Sequence, residues 1–359
     1  MKKRKILFCL FVLLAIVGIF FITYREKLRF IGYAWYYAFP QEVYITTSEK
    51  LDVDIDTLNM IDPRYEEWLI HPCVRYVPDG ICGHKWWMAC TPFPKGNNKY
   101  EQPLLYYGEQ NDTLPPRRWL FAGMIQEPHD KGYNADPNLY YDEVYNRLVC
   151  VWKEAYTENT LSRSAYNAIM YRVYDENGFG IIKKLFDNND STKVHLTAPT
   201  IMEVDGRLLC YATELGEFEG DRNMPHGKSG IAIWGNNYYS ADSISFAYNK
   251  NVMPNYPNGF DYWHTDFCYD GRRKVYYSVV TDQDALNLLF GYSKDGYNYT
   301  YLKKPLLSYK GKGHPRNIYK ASMVVVNDIV YVFYPKRSVE GDKVHLYMSS
   351  IPVDRLLGE

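Results

Sequence analysis

From about residue 66 onward, short apolar and aromatic runs alternate with polar turns, and no segment of useful length carries the period of an amphipathic helix. The clearest unit joins residues 133–141 to 147–152 through a polar turn at Asp142 and Glu143. Asp136 precedes Pro137 at the start of the first run, and the second run is more apolar. The pattern predicts a hairpin of two β-strands.

Variants of this hairpin recur along the chain at steps of 56 to 66 residues. The aligned apolar residues of the first strands are Val74, Leu139, Ile201, Phe267 and Met323. Asp-Gly pairs at 79–80, 205–206 and 270–271 supply turn chemistry, and third and fourth strands are visible in most units. Five such units without helices predict an all-β fold, a five-bladed β-propeller over residues 66–359. A pair of β-sandwich domains is the alternative.

The N-terminus carries a different signal. Four basic residues at positions 2–5 precede an uncharged, mostly apolar run over 6–23. Eighteen helical residues cover about 27 Å, enough to span a bilayer. The basic end predicts a cytoplasmic N-terminus, so residues 1–29 form a cytoplasmic tip and a transmembrane signal anchor. Residues 30–65 form a membrane-proximal segment.

The membrane is therefore one expected partner, through residues 6–23, and the propeller is expected on the extracytoplasmic side. A cleaved signal peptide is the alternative, and it would also export the domain. The 359 residues include 41 basic and 42 acidic side chains, a balance that argues against nucleic acid as the main partner. No phosphate loop, dinucleotide fingerprint, nucleophile elbow or zinc-protease helix is present.

The starts of the first strands are the predicted site. In a propeller these strands line the central axis, so residues about 60 positions apart converge there. On this basis the sequence places the following residues together: His71, Asp136, Thr197, His264, Asp266 and Lys320. Glu101 and Glu214 lie in positions that suggest loops near the same place.

Three further residues are candidates for binding a substrate. Tyr262 and Trp263 directly precede His264 and could stack on a sugar ring. Arg316 lies before the fifth unit and could hold an anionic group through bidentate bonds. Convergent His71, His264 and Asp266 would suit a divalent ion. Because the sequence shows no close ligand spacing, the prediction is nevertheless no metal and no cofactor.

The blade period and these positions resemble the five-bladed glycoside hydrolases, particularly the family 43-like arabinosidases and xylosidases. That family places an Asp base on the first blade, a pKa-tuning Asp before Pro on the second, and a Glu acid shortly before Pro on the third. Asp136-Pro137 matches the second position, whereas His71 and Thr197 stand at the other two. The segment 71–103 resembles uncharacterised bacterial five-bladed propeller proteins. The turn at 293–299 is similar to one that recurs in carbohydrate-active propellers.

The resemblance implies a glycoside hydrolase-like protein that acts on an extracytoplasmic polysaccharide or glycoconjugate. Glycosidic cleavage needs two carboxyl groups, and Thr197 cannot be the acid. We therefore expect Asp136 as the charge-setting or base residue and His71 or His264 as a proton carrier. Glu101 or Glu214 would be the acid. The alternative is a catalytically inactive propeller that binds a glycan or a protein at the cell surface, which the loss of two family carboxylates favours.

Overall fold

The computed structural model describes most of the chain from residue 42 onward. The described ranges are 42–61, 68–110, 112–128, 131–156, 167–187, 195–215, 230–252, 262–282, 287–308, 318–337 and 343–358. The predicted membrane-spanning run over 6–23 lies outside them. Neither helix that the structure describes is long and apolar enough to cross a membrane.

The described strands form five sheets, and apart from one parallel pair all strand pairings are antiparallel. The N-terminal part contributes β1 (Glu49–Lys50), β2 (Asp52–Val53), α1 (Asp56–Ile61), β3 (Leu69–Ile81), β4 (His84–Pro92), β5 (Leu104–Gly108) and β6 (Arg118–Met124). Two 3₁₀ turns, Pro94–Gly96 and Asn98–Tyr100, lie between β4 and β5. The first sheet has the order β2-β6-β5-β4-β3.

The next two sheets follow the chain. The second contains β7 (Gly132–Asp142), β8 (Arg147–Tyr156), β9 (Asn167–Asp175), β10 (Gly178–Phe179) and β11 (Lys183–Asp187). The third contains β12 (His195–Val204), β13 (Arg207–Leu215), β14 (Gly230–Tyr239) and β15 (Ile244–Val252). Each is a meander of hairpins, as the alternating pattern predicts.

The last two sheets complete the fold. The fourth contains β16 (Tyr262–Asp270), β17 (Val275–Asp282), β18 (Asn287–Ser293), β19 (Thr300–Tyr301) and β20 (Leu307–Ser308). The fifth contains β21 (Ser322–Val326), β22 (Ile329–Arg337), β23 (Val344–Pro352) and also β1. A short helix, α2 (Val353–Leu357), follows β23.

The first strands of the five sheets surround one axis. β3 contacts β7, β7 contacts β12, β12 contacts β16, β16 contacts β21, and β21 contacts β3. Side chains also bond across neighbours: the Val74 amide donates to Ser322 Oγ at 3.2 Å, and the Leu139 amide donates to Cys73 Sγ at 3.2 Å. This closed ring is a propeller arrangement, so the prediction of an all-β propeller is confirmed.

The segment that precedes the first full hairpin closes the ring. Glu49 and Lys50 pair with β23 in the fifth sheet, and Asp52 pairs with Arg118 in the first sheet. Leu51, between these two pairings, is buried against both sheets. One short stretch of chain therefore joins the first and last sheets.

Apolar side chains fill the spaces between neighbouring sheets. The cluster between the first and second sheets contains Trp87, Leu139 and Trp152, and the cluster between the fifth and first contains Trp86 and Phe333. These tryptophans have no exposed surface.

Candidate functional site

Three equivalent β-bulges shape the start of the first strands. The strand register shifts between Ile70 and Cys73, between Ala135 and Asn138, and between Thr197 and Thr200. A bulge redirects a side chain and interrupts the regular pairing. In each bulge, two residues of the first strand lie opposite a single residue of the second strand. The second of these two residues is a proline, which is Pro72, Pro137 or Pro199.

The first residue of each bulge has a left-handed backbone. The φ angles are 54° at His71, 54° at Asp136 and 49° at Ala198. For a residue other than glycine this conformation costs about 1–2 kcal/mol. Such strain persists only where the surrounding structure holds it, and it often lies at functional sites.

His71, Asp136 and His264 form the centre of the site. Asp136 Oδ1 lies 3.4 Å from His71 Nε2 and 3.3 Å from His264 Nε2. All three side chains are buried, and their ligand-type atoms lie within 4.8 Å of one another. The three residues come from β3, β7 and β16, so only the closed ring brings them together.

Neighbouring groups fix the orientation of this cluster. His71 Nδ1 lies 2.9 Å from Thr91 Oγ1. The Thr197 hydroxyl donates to Asp136 Oδ2, and the Ala198 amide donates to the same oxygen at 3.4 Å. Lys320 Nζ donates to the Pro137 carbonyl at 2.7 Å, which ties the second bulge to the chain just before β21.

Burial and charge set the protonation states. Burial lowers the pKa of His71 well below its ordinary value and also lowers that of His264, although Asp136 opposes both shifts. Burial alone would raise the pKa of the Asp136 carboxyl, but His71, His264 and Lys320 hold it well below the usual range. The site therefore contains two neutral imidazoles beside one carboxylate at neutral pH.

Glu101 lies at the edge of this cluster, directly after the 3₁₀ turn Asn98–Tyr100. Its carbonyl accepts from the Asn134 amide at 3.0 Å, which joins the β4–β5 connection to β7. Burial, and then Asp136, raise the pKa of the Glu101 carboxyl well above its ordinary value, while Lys153 opposes the shift. Lys153 is itself buried, with its ammonium 5.5 Å from the centre of the Tyr133 ring.

Aromatic rings cover the two histidines. The Tyr319 ring stacks on His71 with centroids 5.0 Å apart and lies 5.0 Å from His264. The Trp263 indole stacks on His264 at 5.3 Å and touches Tyr319 at 5.4 Å. Phe93 stacks on Tyr319 at 6.4 Å. Trp263, Tyr319 and Phe93 are partly exposed, so they form an apolar rim around the polar cluster.

Asp266 lies further along its strand, inside the ring. Its Oδ1 accepts from Asn138 Nδ2 at 3.1 Å and from Thr200 Oγ1 at 3.2 Å, and its Oδ2 accepts from the Met323 amide at 3.0 Å. The Arg75 guanidinium lies 3.4 Å from Oδ1. All five first strands thus contribute to one buried polar network, called the axial plug below.

The structure unites most of the residues that the sequence selects. His71, Asp136 and His264 form the cluster, Thr197 bonds to it, Glu101 borders it and Trp263 covers it. Asp266 belongs to the axial plug instead. The side chains of Glu214 and Tyr262, and all of Arg316, lie outside the described residues.

Sequence reasoning missed Thr91, Lys153 and Tyr319. Thr91 and Lys153 sit on second strands and pair with Ile70 and Ala135, the residues directly before the bulges, and the sequence gives no sign of these bulge pairings. Tyr319 did carry a signal, because it precedes Lys320 just as Trp263 precedes His264 in the previous unit.

The cluster fits a divalent metal ion. His71 Nε2 and Asp136 Oδ1 are buried, and neither atom has a hydrogen-bond partner within the described part of the chain. Two ligands bound at about 2.0–2.1 Å in a tetrahedral zinc site lie about 3.3–3.4 Å apart. The separations of 3.3 and 3.4 Å between Asp136 and each histidine match that spacing, and all three ligand atoms lie within 4.8 Å of one another. Two histidines with one carboxylate are also a known three-ligand set of catalytic zinc.

No protein-family model and no curated protein matches this chain. Solved structures do. An N-acetylgalactosamine deacetylase from F. plautii, in complex with blood group B trisaccharide, aligns with a TM-score of 0.59 at 17% identity over 87% of this chain and 93% of that chain. The GH43_1 enzyme from Xanthomonas citri complexed with xylotriose aligns with a TM-score of 0.58 at 12% identity, covering 85% and 90%.

A GH43 beta-xylosidase/alpha-arabinofuranosidase from a compost microbial metagenome, in complex with xylotriose, aligns with a TM-score of 0.55 at 12% identity, covering 80% of this chain and 92% of that chain. Identities this low show the fold alone. The chain is therefore similar in fold to GH43-like β-propeller enzymes.

Proposed function

We propose that this protein is a metal-dependent hydrolase that removes a small acyl substituent from a glycan. The observation that carries the proposal is the convergence of His71, Asp136 and His264 within ligand distance of one another. Among the described residues, no second carboxylate belongs to that cluster. A divalent ion held there would activate water and polarise the carbonyl of an amide or an ester. The structures of similar fold include a deacetylase as well as glycoside hydrolases, so the choice between the two reactions rests on the ligand cluster.

The residues around the cluster suit the remaining tasks. His71, His264 and Asp136 already have the protonation states that a metal requires, neutral imidazole and ionised carboxylate. Glu101, whose pKa is raised well above its ordinary value, is the carboxyl group that could hold a proton for a leaving amine or alcohol. The rim of Trp263, Tyr319 and Phe93 offers apolar faces for a sugar ring.

A second candidate is a metal-independent glycoside hydrolase. Glu101 and Asp136 are carboxyl groups whose pKa values are shifted in opposite directions. Such a pair is the usual mark of a general acid beside a base or nucleophile. In that case Glu101 would protonate the leaving oxygen and Asp136 would be the base or nucleophile. A propeller that only binds a glycan or a protein is the third outcome of the test below.

The deciding experiment measures two products at once. The full-length chain, in detergent, is incubated with acetylated and unacetylated polysaccharides, and released acetate and new reducing ends are quantified with and without a chelator. We expect acetate release that the chelator abolishes and that Zn²⁺ restores, with no release by the Asp136→Asn variant. New reducing ends that resist the chelator would establish the glycosidase instead. Binding without either product would leave the inactive propeller.

We also propose that residues 6–23 anchor the chain and that the five sheets are five blades on the extracytoplasmic side. The basic N-terminal end and the length of the apolar run support this orientation. Cys82 is exposed and Cys268 is partly exposed, whereas Cys73, Cys90, Cys150 and Cys210 are buried. A membrane-impermeant maleimide should therefore label intact cells through Cys82. The Cys82→Ser variant is the control, and labelling that requires lysis would place the propeller in the cytoplasm.

A further inference from the structure

Five equivalent residues surround the axis at the level of the cluster. Each lies three positions before the aligned apolar residue of its first strand. They are His71, Asp136, Ala198, His264 and Lys320, in the order in which the strands meet around the ring. Four of them carry long polar side chains. Ala198 is the exception, and it lies between Asp136 and His264.

Asp136 contacts one histidine on a neighbouring strand, His71, and one on the next strand but one, His264. His71 and Asp136 lie on neighbouring strands, β3 and β7, and their nearest polar atoms are 3.4 Å apart. His264 lies on β16, and β12 stands between it and β7. Even so, His264 Nε2 comes within 3.3 Å of the same oxygen. The imidazole therefore reaches Asp136 across the position that Ala198 occupies.

Ala198 lies beside Asp136, one of the two residues in this contact. It has no exposed surface, and its amide donates to Asp136 Oδ2 at 3.4 Å. Its bulge has the same register shift and the same left-handed backbone as the bulges of His71 and Asp136. A longer side chain at position 198 would therefore extend toward the axis, as the side chains of His71 and Asp136 do.

We propose that Ala198 is a positioning residue, whose lack of atoms beyond Cβ lets His264 close on Asp136 and complete the three-ligand cluster. Testing this inference by metal affinity rests on the proposed function. Testing it by the distance between His264 and Asp136 does not. With only a methyl group, Ala198 adds no polar side chain to the place where the two histidines and the carboxylate meet. A larger residue would displace the imidazole and leave two ligands.

The left-handed backbone decides which variants are informative. Glycine adopts this conformation without cost, and asparagine tolerates it better than most residues with a side chain. Ala198→Gly removes the methyl group and keeps the space, whereas Ala198→Asn fills the space with little added backbone strain. The comparison therefore separates side-chain size from backbone conformation. Ala198→Ser is an intermediate that adds one atom.

The test uses the full-length chain in detergent. Zn²⁺ affinity is measured by competition with a chromophoric chelator, and melting temperature is measured on the same samples. We expect Ala198→Gly to bind Zn²⁺ within about twofold of the parent and Ala198→Asn to bind at least tenfold more weakly, with melting temperatures of the metal-free proteins similar. Equal affinity in all three proteins would overturn the inference. If Ala198→Asn does not fold, Ala198→Ser takes its place in the test. We expect Ala198→Ser to bind Zn²⁺ more weakly than the parent, by a smaller factor. An affinity equal to that of the parent would overturn the inference.

A parent protein that binds no Zn²⁺ would overturn the proposed function and leave the inference to a second measurement. Crystal structures of the parent and Ala198→Asn would then give the distance from His264 Nε2 to Asp136 Oδ1. An increase of 1 Å or more in the variant, on the order of one bond length, would support the role of Ala198. An unchanged distance would refute it.

Discussion

Thr91 engages one ring nitrogen of His71 and thereby fixes the direction of the other. Thr91 Oγ1 lies 2.9 Å from His71 Nδ1 and 3.5 Å from the Ile70 carbonyl. Because the hydroxyl can donate to that carbonyl, it can accept the proton of Nδ1. The lone pair of the neutral imidazole is then on Nε2, the atom that faces Asp136. This is the tautomer that binds a metal, held in the way that second partners hold metal-binding histidines.

Thr91→Val should weaken metal binding without changing the ligands themselves. Valine has nearly the same shape and stays buried in β4, but it cannot accept the Nδ1 proton. Loss of such a partner typically costs 10–100-fold in metal affinity. We expect a decrease of that size in Zn²⁺ affinity, measured by competition with a chelator.

Thr91→Ser is the matched control, because it keeps the hydroxyl and removes only a methyl group. It should bind Zn²⁺ nearly as well as the parent. If Thr91→Val and Thr91→Ser had the same affinity, the hydrogen bond to His71 would have no part in metal binding.

The axial plug should contribute to stability rather than to binding. Asp266 is fully buried and accepts hydrogen bonds from three other first strands, in addition to its ion pair with Arg75. Removing one partner of a buried ion pair costs about 3–5 kcal/mol, because the other charge stays buried without compensation. We expect Asp266→Ala to lower the free energy of unfolding by about that amount in urea titrations.

An exposed ion pair provides the comparison. Glu49 and Arg117 lie 3.1 Å apart with half or more of each side chain exposed, and such pairs contribute about 0–1 kcal/mol. Glu49→Gln should therefore change the free energy of unfolding by less than about 1 kcal/mol. A similarly small change for Asp266→Ala would show that the plug is not a stabilising network.

The sequence predicts the architecture well because the repeated unit is local. Each first strand, its turn and its second strand are adjacent along the chain, so the period and the Asp-Gly turns locate the hairpins directly. The same reasoning places His71, Asp136 and His264 at equivalent points of their strands. Their convergence then follows from closing the ring, and their ligand atoms lie within 4.8 Å of one another.

The depth of each side chain was harder to predict. Asp266 follows His264 by only two residues, and two residues of strand span about 6.6 Å along the axis. That step carries its carboxylate out of the cluster and into the plug. Thr91 was missed for a related reason: its role depends on the bulge at His71, and a bulge leaves no mark in the hydrophobic pattern beyond the proline at position 72.

The segment that closes the ring offers a third prediction. Leu51 is 3% exposed and packs in the apolar cluster between the fifth and first sheets. Replacing a buried leucine with alanine typically costs about 2–5 kcal/mol. We expect Leu51→Ala to lower the free energy of unfolding by about 2–5 kcal/mol, because it loosens the contact that joins the two ends of the propeller.

Met60, on the nearby α1, is 78% exposed and serves as the control. Met60→Ala should leave the free energy of unfolding almost unchanged. A Leu51→Ala protein as stable as the parent would mean that the closing segment contributes little to the stability of the ring.

Ionisation of Glu101 should make the folded protein less stable as the pH rises. Its pKa in the folded chain is raised well above the ordinary value, chiefly by burial. As pH rises past the unfolded value of about 4.3, the unfolded chain loses this proton first, so stability falls until the folded pKa is reached. Glu101→Gln removes this dependence, because the amide stays neutral.

We therefore expect Glu101→Gln to match the parent near pH 4 and to become the more stable protein toward pH 8. The difference can grow by at most about 1.4 kcal/mol per pH unit, since one pKa unit corresponds to that free energy. Urea unfolding of both proteins between pH 4 and pH 8, in the presence of a chelator, measures this difference in the free energy of unfolding. The exposed Glu109 supplies the matched substitution, and Glu109→Gln should show no such trend. A pH-independent difference for Glu101→Gln would mean that the Glu101 carboxyl ionises at its ordinary pKa, and Glu101 could not then be the proton donor near neutral pH.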